Sequence, residues 1–273
     1  MSETFKIMAN IKKKQIYDLL SQGRRLDGRG LTDYREIKIE TGIIDKALGS
    51  ALVSLGKTKV VVGIKVETGK PFPDKPDEGV LITNAEFVPL ASPDFEPGPP
   101  SMESIELARV VDRGIRESKA IDTEKLCIVP ETSVFLVFVD IYVLDYDGNL
   151  FDTSALASML ALLTAKMQDY IVKENGNLEF KDELINLPIM DYPIEVTIAK
   201  IGDKLVVDPS LEEELSLDAQ ITIALTKNDE ICAIQKSNLG TFNYEEVADA
   251  VKIAKKKARE LREKFLKGYI ANE

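Results

Sequence analysis

Apolar residues change their spacing repeatedly along the chain, and each change marks an element. Residues 35–40 alternate like a half-buried strand. GSALVSLGKTKVVVGIKVETG (49–69) reads as a hairpin, with a strand at Gly49–Leu55, a turn at Gly56-Lys57 and a strand at Lys59–Glu67. VLITNAEFVPL (80–90) supplies a further strand, after the proline-rich surface loop KPFPDKPDEG. ASPDFEPGPPS (91–101) cannot be regular structure, because its prolines fix φ and remove donors. MESIELARVVDRGIRESKA (102–120) then has helical spacing, and LCIVPETSVFLVFVDIYVLD holds two strands, the second apolar throughout as in a buried strand. A helix is expected at 153–170. Strands follow near IEVTIAKIG, KLVVDP, QITIALT and EICAIQKS, with an acidic loop, SLEEELSLDA, among them.

Helices are expected to close both ends. NIKKKQIYDLLSQ (10–22) is a short amphipathic helix with a basic leading turn that stops at Gly23, and YEEVADAVKIAKKKARELREKFLKG is a long Lys-rich one. The order is strands, helix, strands, helix, strands, helix. It predicts one α+β unit with helices packed on mixed sheets, and not a regular barrel of alternating strands and helices. The expected division is an N-terminal helix over 1–23, the main domain over 24–240, and a C-terminal helix over 241–273 lying on that domain. The strands-then-helix pattern occurs twice, consistent with an old internal duplication.

One junction raises a chemical question. In LDYDGNLFDTSALASMLALL (144–163) a strand turns at Asp147-Gly148 onto a helix, the arrangement of a phosphate-binding loop. Yet the stretch has no basic residue, and Leu150, Phe151 and Asp152 stand where an anion would arrive. Asp152, Thr153 or Ser154 is the expected N-cap, with the protein's own carboxylate, Asp152, filling the positive end of the helix dipole.

Composition then narrows the chemistry. The chain has no histidine, which excludes Ser-His-Asp and Cys-His nucleophile activation and His-ligated zinc. Catalysis would have to use carboxylates, Lys, Arg or an oxygen-ligated metal. Cys127 and Cys232 stand alone in strand-like segments, so two buried thiols are expected, not a disulfide or a metal site. No segment reads as a signal peptide or a membrane span, so the expectation is a soluble cytoplasmic protein. The net charge of −11 argues against a free-standing nucleic-acid binder. It leaves room for a local basic patch.

Such a patch is available. Arg109, Arg113 and Arg116, at intervals of four and three, lie along one stripe of the helix at 102–120, while Leu107, Val110 and Val111 hold another face to the core. The stripe can grip successive phosphates of a single strand, or it can be a solvated face paired with Glu106, Asp112 and Glu117. Glu212, Glu213, Glu214 and Asp218 form the densest acidic group, open to reading as a Mg²⁺ or general-acid site or as a solvated turn. KKKARELREK near the C-terminus reads as a structural amphipathic helix laced with ion pairs.

RRLDGRGLTDYREI, carrying Arg25, Asp27, Gly28, Arg29, Tyr34 and Arg35, resembles the signature of the RNase PH-like phosphorolytic exoribonucleases. GSALVSLGKTKVVVGIKVE resembles the family's first hairpin. VDIYVLDYDGNLFDTSALAS and VVDPSLEEELSLDAQITIALT extend the likeness in order from about Arg24 to Lys236. FEPGPPSMESIELARVVDRGIRESKAID is most similar to the linker and helix of the non-catalytic ring subunits of the archaeal exosome. The resemblance implies a βαβα-type α+β domain with mixed sheets, assembling into six-membered rings around an RNA channel.

The resemblance also implies departures. Active members follow the Asp-Gly with a small residue, a Ser or Thr, and an Arg that hold inorganic phosphate; here Asn149, Leu150 and Phe151 follow. An arginine pair ahead of the helix's Ile-Glu is replaced by Met102 and Glu103, and two catalytic aspartates by Glu214 and Gln220. What it implies is therefore a subunit with no catalytic residue, cofactor or metal of its own. Its partners would be a catalytic RNase PH-like exosome subunit in a trimer of heterodimers, RNA-binding cap subunits and single-stranded RNA, with no membrane. Arg109, Arg113 and Arg116 would touch RNA beside the partner's site during 3′→5′ phosphorolysis. The alternative is that this chain is itself an active phosphorolytic 3′→5′ exoribonuclease.

Overall fold

A computed structural model describes residues 3–172 and 178–270. After a helix α1 (Glu3–Ser21), the first sheet collects β1 (Ile37–Thr41), β2 (Gly49–Leu55), β3 (Thr58–Gly69), β4 (Val80–Phe87), β5 (Cys127–Val129) and β6 (Ser133–Asp145). Its order is β1-β2-β3-β6-β4, with β5 on β6; β4 runs parallel to β6, and the other neighbours are antiparallel. Between β4 and β5 runs α2 (Met102–Glu117), and α3 (Leu150–Thr164) follows β6. A hairpin, β7 (Lys166–Val172) with β8 (Leu178–Asn186), leads to the second sheet. That sheet is antiparallel, built from β9 (Ile194–Ile201), β10 (Lys204–Val207), β11 (Ala219–Leu225) and β12 (Ile231–Ser237) in the order β10-β9-β11-β12. The short α4 (Leu211–Glu214) lies between β10 and β11, and α5 (Tyr244–Leu261) runs on through a π-helical turn at Arg262–Leu266.

The core explains the layering. α3 is buried on every side from Asp152 to Leu162, because β2 and β3 pack on one flank and β9 and α2 on the other. A helix apolar all round is stable only in such a sandwich. Gly49 permits the approach: a Cβ there would stand 2.3 Å from the Ala161 carbonyl oxygen. α5 lays Ala250, Ala254, Ala258 and Leu261 along one stripe against β9 and β11, and an Asn243–Glu246 capping box starts it.

The α+β architecture, the first hairpin and the strands of the second sheet match the reading from sequence. Five details differ. α1 begins at Glu3, ahead of the expected start at residue 10. α3 begins at Leu150 and stops at Thr164, so residues expected to be helical up to 170 instead open β7. The acidic segment forms α4 and is not a bare loop. The helix starting at Met102 closes at Glu117, where Ser118 caps it and Lys119 takes a positive φ of 53°. Finally, both cysteines are free but only half-buried. Residues 1, 2 and 271–273 of the expected terminal segments lie outside the described residues. Among the described residues no helix is long and apolar enough to cross a membrane.

Candidate nucleic-acid interface and the loop at residues 146–152

The strand-to-helix junction does bind an anion, and the anion is the protein's own. β6 ends at Asp145, and the chain turns through Gly148 (φ 89°) and Asn149 (φ 55°) into α3. Only glycine fits at 148, since a Cβ would meet the backbone of Pro209–Leu211 at 2.6 Å. The Asn149 N–H donates to Glu214 Oε1 at 2.7 Å, and the Tyr146 hydroxyl donates to Glu214 Oε2 at 2.7 Å. A carboxylate from α4 therefore occupies the loop's anion position.

The expectation that Asp152 caps the helix is corrected here. The N-cap is Asn149, whose left-handed backbone follows from the Gly148 turn. Asp152, three residues on, accepts instead from the Tyr34 hydroxyl at 2.7 Å and from Asn149 Nδ2 at 3.0 Å. Burial pushes Glu214 up to about 7, against the donors Asn149 and Tyr146 and the Arg35 charge, which favour the ionised form. Burial likewise pushes Asp152 up to about 6. Leu150 and Phe151 are half-buried and pack against the main core.

The arginines near this loop are committed. Arg35 makes paired hydrogen bonds to Asp208, at 3.0 and 2.7 Å, and holds the Asp147 and Gly148 carbonyls. Arg29 reaches the same carboxylate at 2.7 Å. Arg25 closes a bidentate pair with Glu213 at 2.9 and 2.5 Å, with both side chains almost wholly buried. Asp208 also accepts from Asn149 Nδ2 at 3.0 Å. The signature arginines thus tie β10 and α4 to the loop.

The acidic group found in the sequence is dispersed among unrelated partners. Glu212 pairs with Lys12, Glu213 with Arg25, and Asp218 accepts from the Tyr17 hydroxyl and the Gly202 N–H. Among the described residues no three acidic, cysteine or histidine side chains converge as a metal site would require. Gln220 is buried within β11, opposite Ser237 of β12.

The arginine face differs in kind. Ser101 caps α2 by accepting the Ser104 N–H at 3.1 Å, and Leu107, Val110, Val111 and Ile115 are buried. Pinned this way, α2 bridges β4 of the first sheet and β12 of the second. Arg109 lies on the outer crest, exposed, with no ion pair or hydrogen bond among the described residues. It borders a groove of about 310 Å³ whose walls include Thr83, Ser104, Ile105, Ala108 and Tyr142. Arg113 is half-buried and donates once, from Nη2 to Gln235 Oε1 of β12 at 2.5 Å. Arg116 turns the other way, onto both oxygens of Asp112 at 3.0 and 2.9 Å and onto the Leu81 carbonyl. The stripe is real, but the three arginines are unequally available.

Beneath this face is a group that sequence reasoning missed. Glu195 of β9 is buried against α2; a Cβ on Gly114 would stand 2.3 Å from its Oε1, and its Oε2 has no hydrogen-bond partner among the described residues. Burial first, and the Asp152 charge second, push it up to about 8, although Arg113 pulls the other way. Gln235 and Tyr146 were equally invisible as functional partners, and Glu106 was legible only as an internal partner of the arginine stripe. Only the seven-residue spacing of Glu106 and Arg113 hints that they share a side of α2.

Comparison with known proteins fits this geometry. Residues 33–168 match the 3′ exoribonuclease family, domain 1, and residues 191–257 match domain 2 of the same family. A protein of Thermococcus onnurineus named "Exosome complex component Rrp42" is 53% identical over 267 residues, covering 97% of this chain and 98% of its own. The structure superposes with a TM-score of 0.87 on a chain of the Archaeoglobus fulgidus exosome with RNA bound to the active site, at 48% identity, covering 95% of this chain and 99% of that one. A chain of an archaeal exosome core gives a TM-score of 0.84 at 43% identity, with 97% and 100% covered.

Proposed function

The chain belongs to the 3′ exoribonuclease family of RNase PH, and on that premise we propose that it is a non-catalytic ring subunit of an archaeal exosome. It alternates with a catalytic RNase PH-like subunit in a trimer of heterodimers, through head-to-tail contacts that close. Cap subunits that bind RNA sit on the ring. The role of this chain is to hold single-stranded RNA beside the partner's site during 3′→5′ phosphorolysis. Arg109 and Arg113 grip phosphates, and Arg116, already paired with Asp112, contributes least.

One observation carries the reading. Where an active relative needs cations around inorganic phosphate, Glu214 receives the Asn149 N–H, and the arginines nearby are bound to Asp208 and Glu213. Phosphate would have to displace a carboxylate and then lie among further carboxylates, beside arginines whose charge is already taken up.

The test is reconstitution. The isolated chain given poly(A) and phosphate is expected to release no nucleoside diphosphate, whereas the complex with a catalytic partner does. Phosphate-dependent release by the isolated chain that disappears on Glu214→Gln would establish the alternative, an active exoribonuclease. Reversing both arginines, Arg109→Glu with Arg113→Glu, is expected to weaken RNA binding by the complex and flatten its salt dependence. Unchanged affinity and slope would make the subunit purely structural.

A further inference from the structure

We infer that Gln235 is a positioning residue for RNA, acting through Arg113, and that Glu106 and Ser237 lock its amide in the working orientation. The inference rests on the proposed RNA contact of Arg113.

The placement follows from two periodicities. Glu106 and Arg113 are seven residues apart, two turns of α2, and so share the side that faces the second sheet. Gln235 and Ser237 are two apart on β12 and so share one face of that edge strand. The four side chains meet where α2 crosses β12. Glu106 Oε1 accepts from Gln235 Nε2 at 3.1 Å and from the Ser237 hydroxyl at 2.7 Å. Gln235 Oε1 accepts from Arg113 Nη2 at 2.5 Å.

The chemistry of the donors fixes the direction of the amide. An ionised carboxylate only accepts and a guanidinium only donates. Rotating the Gln235 amide by half a turn would set its carbonyl against the Glu106 carboxylate and its NH₂ against Arg113, losing both hydrogen bonds. Gln235 therefore always offers a carbonyl to Arg113.

The consequence is a held but unneutralised cation. Arg116 faces a full negative charge on Asp112, which competes with any phosphate. Arg113 faces a neutral oxygen, which uses one of its five N–H donors and leaves its net charge intact. Arg109 is free but unheld, so it must be ordered when RNA arrives. Arg113 is the position on this face that combines order with charge.

The experiment uses the complex assembled with its catalytic partner and poly(A) as the probe. Gln235→Leu removes the carbonyl and is expected to raise KM by about threefold to fivefold, the scale of one lost hydrogen bond. It should change kcat by less than about twofold and leave the salt slope unaltered, since no charge is lost. Gln235→Glu adds a competing charge and should raise KM further while flattening the slope by about 0.7, one single-strand phosphate contact. In an Arg113→Ala background Gln235→Leu should have no further effect. Glu106→Gln frees the amide to turn and should act like a weaker Gln235→Leu, which decides the matter even if the leucine variant fails to assemble.

If Arg113→Ala itself leaves KM and slope unchanged, the RNA contact is wrong and the inference falls with it. If Arg113→Ala weakens binding while Gln235→Leu and Glu106→Gln match the parent complex, the contact stands and the positioning role is refuted. An equal effect of Gln235→Leu with and without Arg113 would show a structural role and refute it too.

Discussion

Two groups of arginines lie on this subunit and behave in opposite ways. Around the loop at 146–152, Arg25, Arg29 and Arg35 are bound to Glu213 and Asp208, and an internal carboxylate, Glu214, sits on the loop N–H. On α2, Arg109 has no partner among the described residues and Arg113 has a neutral one. The third arginine of α2, Arg116, is paired with Asp112 and so resembles the loop group. What separates the two groups is how fully the counter-charges come from the protein itself.

The contrast can be broken most forcefully at Arg25. Arg25→Ala strips the buried partner from Glu213 and is expected to cost about 3–5 kcal/mol, a fall of roughly 10 °C in Tm by calorimetry. Arg109→Ala, on the exposed crest, should stay within about 0.5 kcal/mol of the parent in the same measurement. Equal losses at the two positions would erase the distinction.

Next in size is the RNA effect. In the assembled complex, Arg109→Glu with Arg113→Glu should lower affinity for single-stranded RNA on the order of tenfold to a hundredfold. The slope of log affinity against log salt should drop by about 1.4, two single-strand phosphate contacts, in a fluorescence titration across salt concentrations. Arg116→Ala should change the slope by clearly less than Arg109→Ala does, because Asp112 already neutralises it.

A third prediction concerns the carboxylate beneath the face. Glu195 has its folded value raised to about 8, so its contribution to stability is fully present below the ordinary carboxylate range and is lost as pH rises towards 8. Glu195→Gln removes that dependence. The Tm of the variant should equal that of the parent at about pH 4 or below and exceed it by roughly 5 °C at pH 8 to 9. A gap that stays constant or closes with rising pH would contradict the reading. A neutral Glu195 leaves Arg113 without a buried counter-charge, the opposite of the arrangement around Asp208.

Much of this was legible in the chain. The hairpin at 49–69, the start of α2 after its proline-rich leader, the strands of the second sheet and the α+β order follow from local periodicity and turn residues. The arginine stripe was legible as spacing, and the missing loop cation as composition. What could not be read was set by tertiary structure. Asp152 looks like an N-cap, but the left-handed Gly148-Asn149 turn starts the helix earlier and hands the anion position to Glu214, distant in sequence. KMQDYIV continues an apolar rhythm that suits a helix, and pairing with β8 overrides it. Nothing in ICAIQKS announces that Gln235 meets Arg113, since that depends on where α2 crosses β12.

The central claim concerns the loop, and a crystal structure of the subunit soaked in phosphate tests it most directly. The account predicts Glu214 still accepting the Asn149 N–H and the Tyr146 hydroxyl, with no phosphate beside Phe151 and Asp152. A phosphate oxygen on the Asn149 N–H, with the Glu214 carboxylate swung away, would contradict it.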